Sequence, residues 1–448
     1  MQGRNSRCVA VSRGGPTPGA LVARLLAIVF VAVAVSSADP AIVAAQSVWS
    51  AAASLSPSRE MPSPPGIAVD GRGDEIVTWI DDAGRPMARS RASGGGFGRP
   101  VVLGPGAALR AAPRVAFDRS GNATVVWLAR PGASGAANEV EASYRRRGGR
   151  FAAPTRIFGD AGGAELDSPG LGVARDGRVS AFWIAGHVVD VATRAPGKAW
   201  SRATPIANPV ADDPSLPSYA VAANGDAVAV WSNDDGLYAA IRRGNRRFGA
   251  GALLAPAQSG QGGVAIDPHG DAITVWSHCD PAELCQPSSM SIMYATRAPG
   301  ALSFSAPQTV TPSTGAPSVT MNDRGDATVV WTQPFGDLMA AERPAGGSFG
   351  AIETLAPHPV SAPAACYDGR GVVYLARLGA TAAGDFAEEA SILTPGAGLD
   401  GTQILAVAPA PESAFAPSIA CSASGGAIAW TIGVTGVSGA QVQEAHVN

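Results

Sequence analysis

Side chains able to hold a cation or move a proton are sparse in this 448-residue chain, and most stand alone. Two acidic pairs are the exceptions: Asp81 with Asp82 in IDDAG, and Asp234 with Asp235 in NDDG. Adjacent carboxylates suit a hard cation such as Ca²⁺, which takes six to eight oxygens, but neither stretch has the spacing of an EF-hand loop. Ca²⁺ is therefore the one cofactor with any support, and the expectation is that none is needed. The five histidines, among them His187 and His278, are scattered with no HxxxH or CxxC partner, which argues against zinc. His278 opens HCDPAELC, the most individual loop of the chain, and a disulfide between Cys279 and Cys285 is expected to stiffen it. GDFAEEA, residues 384–390, clusters acids in the manner of a solvated loop. No P-loop occurs, and no GxGxxG follows a strand and leads into a helix, so no catalytic residue is assigned. Asp81, Asp82, His187, Asp234, Asp235 and His278 remain as candidate binding residues.

What must position them is a repeat. PSVTMNDRGDATVVW, Pro317 to Trp331, has close copies along almost the whole sequence, each with two β-type runs around a tight turn and a Trp six residues after the turn Gly. Trp79, Trp127, Trp183, Trp231, Trp276 and Trp331 follow one another at intervals of 48, 56, 48, 45 and 55 residues, and Trp430 marks a later copy. A period of this length with alternating Val, Ile and Ala belongs to propeller blades rather than helical solenoids. Abundant Gly (55) and Pro (36) with only 15% charged residues suit many short strands joined by turns. Trp rings at a rim could stack on sugars. Yet burying each would contribute roughly 4–6 kcal/mol, so packing between blades is the expected role.

Each unit carries two further strand-like runs, giving strands A to D from the inside outward. Ser47 to Ser56 reads as an isolated D strand, and the last unit, ending in Ala440 to Val447, lacks one. The prediction is an all-β, eight-bladed propeller closed by its N-terminal strand, with seven blades plus a stray unit as the alternative. Asp or Asn at 70, 118, 267, 322 and 368 is expected to cap the A–B turns, and Arg at 91, 145 and 297 to pair with the Asp of its own blade, as 70/91, 118/145 and 267/297. Cys366 and Cys421 fall on neighbouring A strands with equal side-chain parity. That counts against a bridge, because successive blades show each other opposite sides.

Residues 1–45 read as a secretory signal peptide, with Arg4, Arg7, Arg13 and Arg24 ahead of the apolar run Leu25 to Val35; a membrane anchor is the alternative. Residues 46–448 then form a single propeller domain, secreted or held at the cell envelope, with no transmembrane segment in the mature chain. A net charge of −3 gives no overall field for nucleic acid, and the mature protein is expected to be a monomer. Strand direction places the A–B and C–D turns on one rim, uniform and rich in Arg. It places the B–C and D–A connections on the other, variable and acidic, where a glycan or protein ligand is expected.

The DxxG turn followed by Trp resembles the secreted bacterial β-propeller repeats grouped with sialidase-like, Asp-box (BNR-type) proteins, over residues 47–448. The Asp-box motif SxDxGxTW has closer spacing than the pattern here. Sialidases also use a Tyr nucleophile, an acidic partner and three Arg in a central pocket, and no such set can be assigned. The resemblance thus implies the fold and not the hydrolase activity. The function expected is a binding or interaction platform at or outside the cell surface, with enzymatic activity uncertain and disfavoured. The alternatives are a glycan-active hydrolase or lyase and a structural envelope protein without a small ligand.

Overall fold

The computed structural model describes residues 49–57, 62–106, 111–130, 139–159, 166–206, 214–256, 259–279, 289–333, 336–357, 363–381, 383–394, 397–408, 417–433 and 440–447. The expected signal peptide lies outside them. Among the described residues no helix is long and apolar enough to cross a membrane.

Eight four-stranded antiparallel sheets form, in agreement with the predicted eight blades. Blade 1 shows the pattern: A is Gly66–Val69, B is Glu75–Ile80, C is Pro86–Arg91 and D is Val101–Val102. Blades 2 to 7 run over 114–159, 166–205, 215–256, 259–312, 317–356 and 364–408. Blade 8 takes A, B and C from 418–447 and its outer strand from the other end of the described chain, Ala53–Ser54. Ala53 pairs with Glu444 and Ser54 with Gln443. Backbone bonds extend this seam from Ser50 N to His446 O (2.8 Å) and from Leu55 N to Val442 O (2.8 Å). Closure in this way covers the C strand of blade 8 and leaves only a two-residue strand as its outer edge, too short to template another chain.

The B strands are buried along nearly their whole length because both faces meet a neighbouring blade. Their Trp residues are core, as expected: Trp79, Trp127, Trp183, Trp276, Trp331 and Trp430 are at most 1% exposed. Trp49, just ahead of the closing strand, joins them and meets the edge of Tyr374 at 5.8 Å. Each cluster of buried residues spans two adjacent blades, so the hydrophobic core is a ring of interfaces and not a central mass.

The capping expectation also holds. Asp70 Oδ1 accepts from the backbone N–H groups of Arg72 (2.8 Å) and Asp74 (2.9 Å), and Asp118, Asp267, Asn322 and Asp368 repeat this. The turn Gly supplies the left-handed backbone required there, with φ of 85° at Gly73. Ala174 and Ala222 close the same backbone turn, and the capping side chain moves two residues on, with Asp176 Oδ1 accepting from Arg178 N (2.9 Å) and Asn224 Oδ1 from Asp226 N (2.8 Å).

Two expectations fail. The C-strand arginines do not pair with the Asp of their own blade. Arg297 Nη2 donates to Asp226 Oδ2 of blade 4 (2.8 Å), Arg242 Nη1 to Ser180 Oγ of blade 3 (2.9 Å), and Arg91 lies 3.7 Å from Glu444 of blade 8. Each Arg stands opposite the first B-strand residue and projects toward the preceding blade, while the turn Asp has already spent Oδ1 on backbone N–H groups. The arginines therefore link blades in series.

The second correction concerns Cys366 and Cys421, which are bridged with Cα atoms 5.8 Å apart. Seven A–B turns close from residue i to i+4, as Asp368 N to Val372 O, but blade 8 closes from Ser422 N to Gly425 O. This one-residue deletion makes Cys421 the equivalent of Tyr367 and not of Cys366. The parity reverses, and the two thiols face each other across the blade 7/8 interface.

Candidate functional site

The six candidate binding residues all fall at B–C connections or B-strand ends, hence on one rim, but in four blades. Asp81 is 1% exposed and engaged: Oδ1 accepts from Arg85 N (2.7 Å) and Oδ2 from Arg85 Nε (2.8 Å). It caps the blade 1 B–C turn, while Asp82 beside it is exposed. Asp234 and Asp235 are exposed on a turn of blade 4 that Asn233 Oδ1 caps through Asp235 N and Gly236 N. His187 is exposed in the tight blade 3 turn, and His278 ends the blade 5 B strand with Nδ1 3.2 Å from Ser259 Oγ. Cys279 is disulfide-bonded; its expected partner Cys285 lies outside the described residues. The six thus share a rim across blades 1, 3, 4 and 5. Among the described residues no three His, Cys, Asp or Glu side chains gather as metal ligands.

Among the described residues the inner strands bring no Asp or Glu into the cavity they line. A cavity of about 320 Å³ is lined by inner strands of blades 1, 2, 6, 7 and 8, and Arg114 is its one ionisable lining residue. The Arg114 Nε donates to Pro169 O (3.0 Å), and burial draws the guanidinium below its ordinary range.

A cavity of about 640 Å³ opens on the flank between blades 4 and 5, within the roughly 300–1,000 Å³ typical of ligand sites. Blade 4 contributes Ala239 and Ile241 from its C strand, Arg243, Arg246 and Arg247 from its C–D turn, and Leu253 and Leu254 from its D strand. Blade 5 contributes the segment from Leu302 to Pro307.

The floor continues the interblade core, since Ala239, Ile241, Leu254 and Phe304 pack in the blade 4/5 cluster. The walls are open: Leu253 is 53% and Leu302 73% exposed. Arg242 turns away from the groove. It lies 5.3 Å from the Phe248 ring centre and donates from Nη1 to Ser180, and burial pulls its pKa down to about 10. That fixed Arg anchors the base of the turn whose next residues line the groove.

An aromatic six residues after the C-strand Arg, just ahead of the D strand, recurs as Phe97, Phe151, Trp200 and Phe248, each 5.3–5.7 Å from the guanidinium. Blade 5 inserts one residue into this interval, between Arg297 and Phe304, and its loop carries Leu302, 73% exposed. The sequence reading grouped the groove arginines with the uniform rim and missed the groove. The available signal was RRGNRRF in one blade against a charge-free turn, APGALSFS, in the next.

No protein-family model matches the chain, and no curated protein sequence matches it. Solved structures do. The BP39L lectin from Burkholderia pseudomallei is 14% identical with a TM-score of 0.54, over 78% of this chain and 99% of the lectin. An ulvan lyase solved with a GlcA(1-4)Rha3S ligand is 9% identical with a TM-score of 0.50, over 79% of this chain and 98% of the lyase. The polysaccharide lyase Uly1 is 9% identical, also at 0.50, over 86% and 90%. At these identities the likeness concerns the propeller fold.

Proposed function

We propose that this protein is an exported carbohydrate-binding β-propeller and that the blade 4/5 groove is its ligand site. The observation that carries the reading is the groove's composition: aliphatic walls, a row of guanidinium donors, and no Asp, Glu, His, Tyr or Cys in the lining. Apolar surface with a few fixed polar groups is what a sugar needs, because a pyranose has an aliphatic C–H face and a belt of hydroxyls. Hydrolysis or β-elimination needs a general base within hydrogen-bond reach of the substrate, and this lining provides none. The similar folds of a lectin and of polysaccharide lyases agree with a glycan ligand. Export rests on the reading of residues 1–45, and the rigid, disulfide-tied ring suits an extracellular setting.

The test is binding of the purified full chain to an oligosaccharide panel, with product analysis of the same mixtures. Binding without shortened products is expected. Leu253→Asp and Leu302→Asp together should abolish it, since both side chains are exposed and their replacement leaves the core intact. Products that accumulate with enzyme concentration would replace this reading with an enzymatic one.

A further inference from the structure

The groove between blades 4 and 5 holds three cations that nothing in its described surroundings neutralises, and from this we infer that its ligand is an anionic glycan bearing sulfate or carboxylate groups on successive sugars. The inference rests on the carbohydrate reading above and adds the ligand's charge. Arg243, Arg246 and Arg247 are all exposed and all line the cavity. Neighbouring carboxylates do not serve them. The A–B turn of blade 4 has Ala222 where most other blades have Asp or Asn. Its one acidic residue, Asp226, is 6% exposed, with Oδ1 accepting from Gly244 N (2.8 Å) and Oδ2 from Arg297 (2.8 Å). Across the groove, residues 298–306 carry no ionisable side chain.

The blade 2/3 crevice on the same rim shows the contrast. Its arginines Arg119, Arg175 and Arg194 share a cavity of about 350 Å³ with Asp118 and Asp176, so its charge is answered internally. In the blade 4/5 groove the compensating charge must come from the ligand.

The chemistry narrows the class. A guanidinium presents a planar fork of donors that matches a sulfate or carboxylate with two parallel hydrogen bonds, and three in one turn suit charges repeated along a chain. The exposed apolar groups beside them are Leu253 and Leu302, which are aliphatic. They can cover the C–H face of a sugar, while the two rings in the lining, Phe248 and Phe304, are half-buried and taken up by the Arg242 guanidinium and the interblade clusters, so a polyanion built on sugars is favoured over a nucleic acid that needs free rings for stacking.

The experiment measures binding of the full chain to short dextran sulfate, neutral dextran of equal length, oligogalacturonate and a single-stranded DNA oligomer, at low and high salt. Dextran sulfate and oligogalacturonate should bind and neutral dextran should not. Binding should weaken steeply with salt, because exposed charges are screened. The triple change Arg243→Ala, Arg246→Ala, Arg247→Ala should lower affinity by about 100-fold or more, as three charge-assisted contacts are removed. Leu253→Ser with Leu302→Ser should weaken it by roughly 10-fold through lost apolar contact. All substituted positions are exposed, and an unchanged thermal transition verifies folding.

If a neutral chain binds as well, insensitive to the arginines but lost with the leucines, the charge inference falls and the groove reading stands. If sulfated binding survives both sets of changes, the groove is not the site. DNA binding as tight as dextran sulfate and indifferent to the leucines overturns the glycan class, and binding of none of the probes overturns both readings.

Discussion

Glu75→Gln should abolish a loss of stability that the wild-type protein suffers between about pH 5 and pH 8. Glu75 sits at the seam that closes the ring, wholly buried on the blade 1 B strand. Arg91 Nε donates to its Oε2 at 2.7 Å, but Glu444 of blade 8, 1% exposed, approaches the same guanidinium at 3.7 Å. His446 completes the group, with Nδ1 3.1 Å from Glu444 Oε1 and Nε2 3.3 Å from Arg91 Nη1, and Ser50 Oγ lies 3.2 Å from His446 Nδ1. One arginine cannot offset two buried carboxylates. Burial first, then the charge of Glu444, pushes Glu75 up to about 8 despite Arg91. A proton retained on Glu75 is shared with the Glu444 carboxylate beside it.

The sign follows by linkage. A folded-state pKa above the unfolded value of 4.5 means that the native state holds the extra proton, so the contribution is complete below about pH 4.5 and is lost as pH rises through about 8. At ~1.4 kcal/mol per unit the full span is at most ~5 kcal/mol, and solvent relaxation in a real site reduces it to roughly 2–4 kcal/mol. With ~2.1 cal/mol/K of unfolding entropy per residue, a propeller of this size would lose about 2–5 °C of Tm. The assay is thermal unfolding of both proteins across pH 4.5 to 9, reading the difference between the curves so that other titrating groups cancel. Gln keeps the size and the contact with Arg91, so only the slope is diagnostic. Parallel curves, or a difference that grows in the opposite direction, would refute the reasoning.

Two further outcomes test the links between blades. Arg297→Ala should destabilise by about 3–5 kcal/mol, since it strands the buried Asp226 carboxylate; restoring part of that loss with Asp226→Asn, in a double-mutant cycle by urea unfolding, identifies the stranded charge as the cause. Reducing the Cys366–Cys421 bridge, or replacing both residues with Ser, should cost about 2–5 kcal/mol, because the bond closes a 55-residue loop across one blade interface. Mass mapping of the oxidised protein checks the pairing directly.

Repetition explains why some of this molecule was readable from its sequence and some was not. A feature present in most copies is averaged over eight chances to be seen: the interface Trp, the Asx turn and the A-to-D order could each be wrong in one blade without changing the architecture. Closure was legible from the ends alone, because a lone D-like run at 47–56 and a last unit without one have a single economical solution in a ring.

The misses are departures from the repeat, each a single residue in size. Dropping one residue from the blade 8 turn reverses the face of Cys421 and creates the disulfide that equal parity disfavours. The extra residue before Phe304 lies in the loop that carries Leu302, a wall of the groove beside the blade 4 arginines. The arginine partners failed for a different reason: alignment places residues within a blade, whereas the guanidinium reaches into the blade before it. Function in a repeat ring therefore has to be sought where one copy breaks the pattern next to another that keeps it, and the blade 4/5 groove is such a place. Deleting Leu302, which restores the six-residue interval and removes one wall of the groove, should abolish glycan binding while the ring stays folded, as native-like far-UV circular dichroism would show. A deletion protein that still binds would mean that the variable rim, and not this departure from the repeat, carries the ligand.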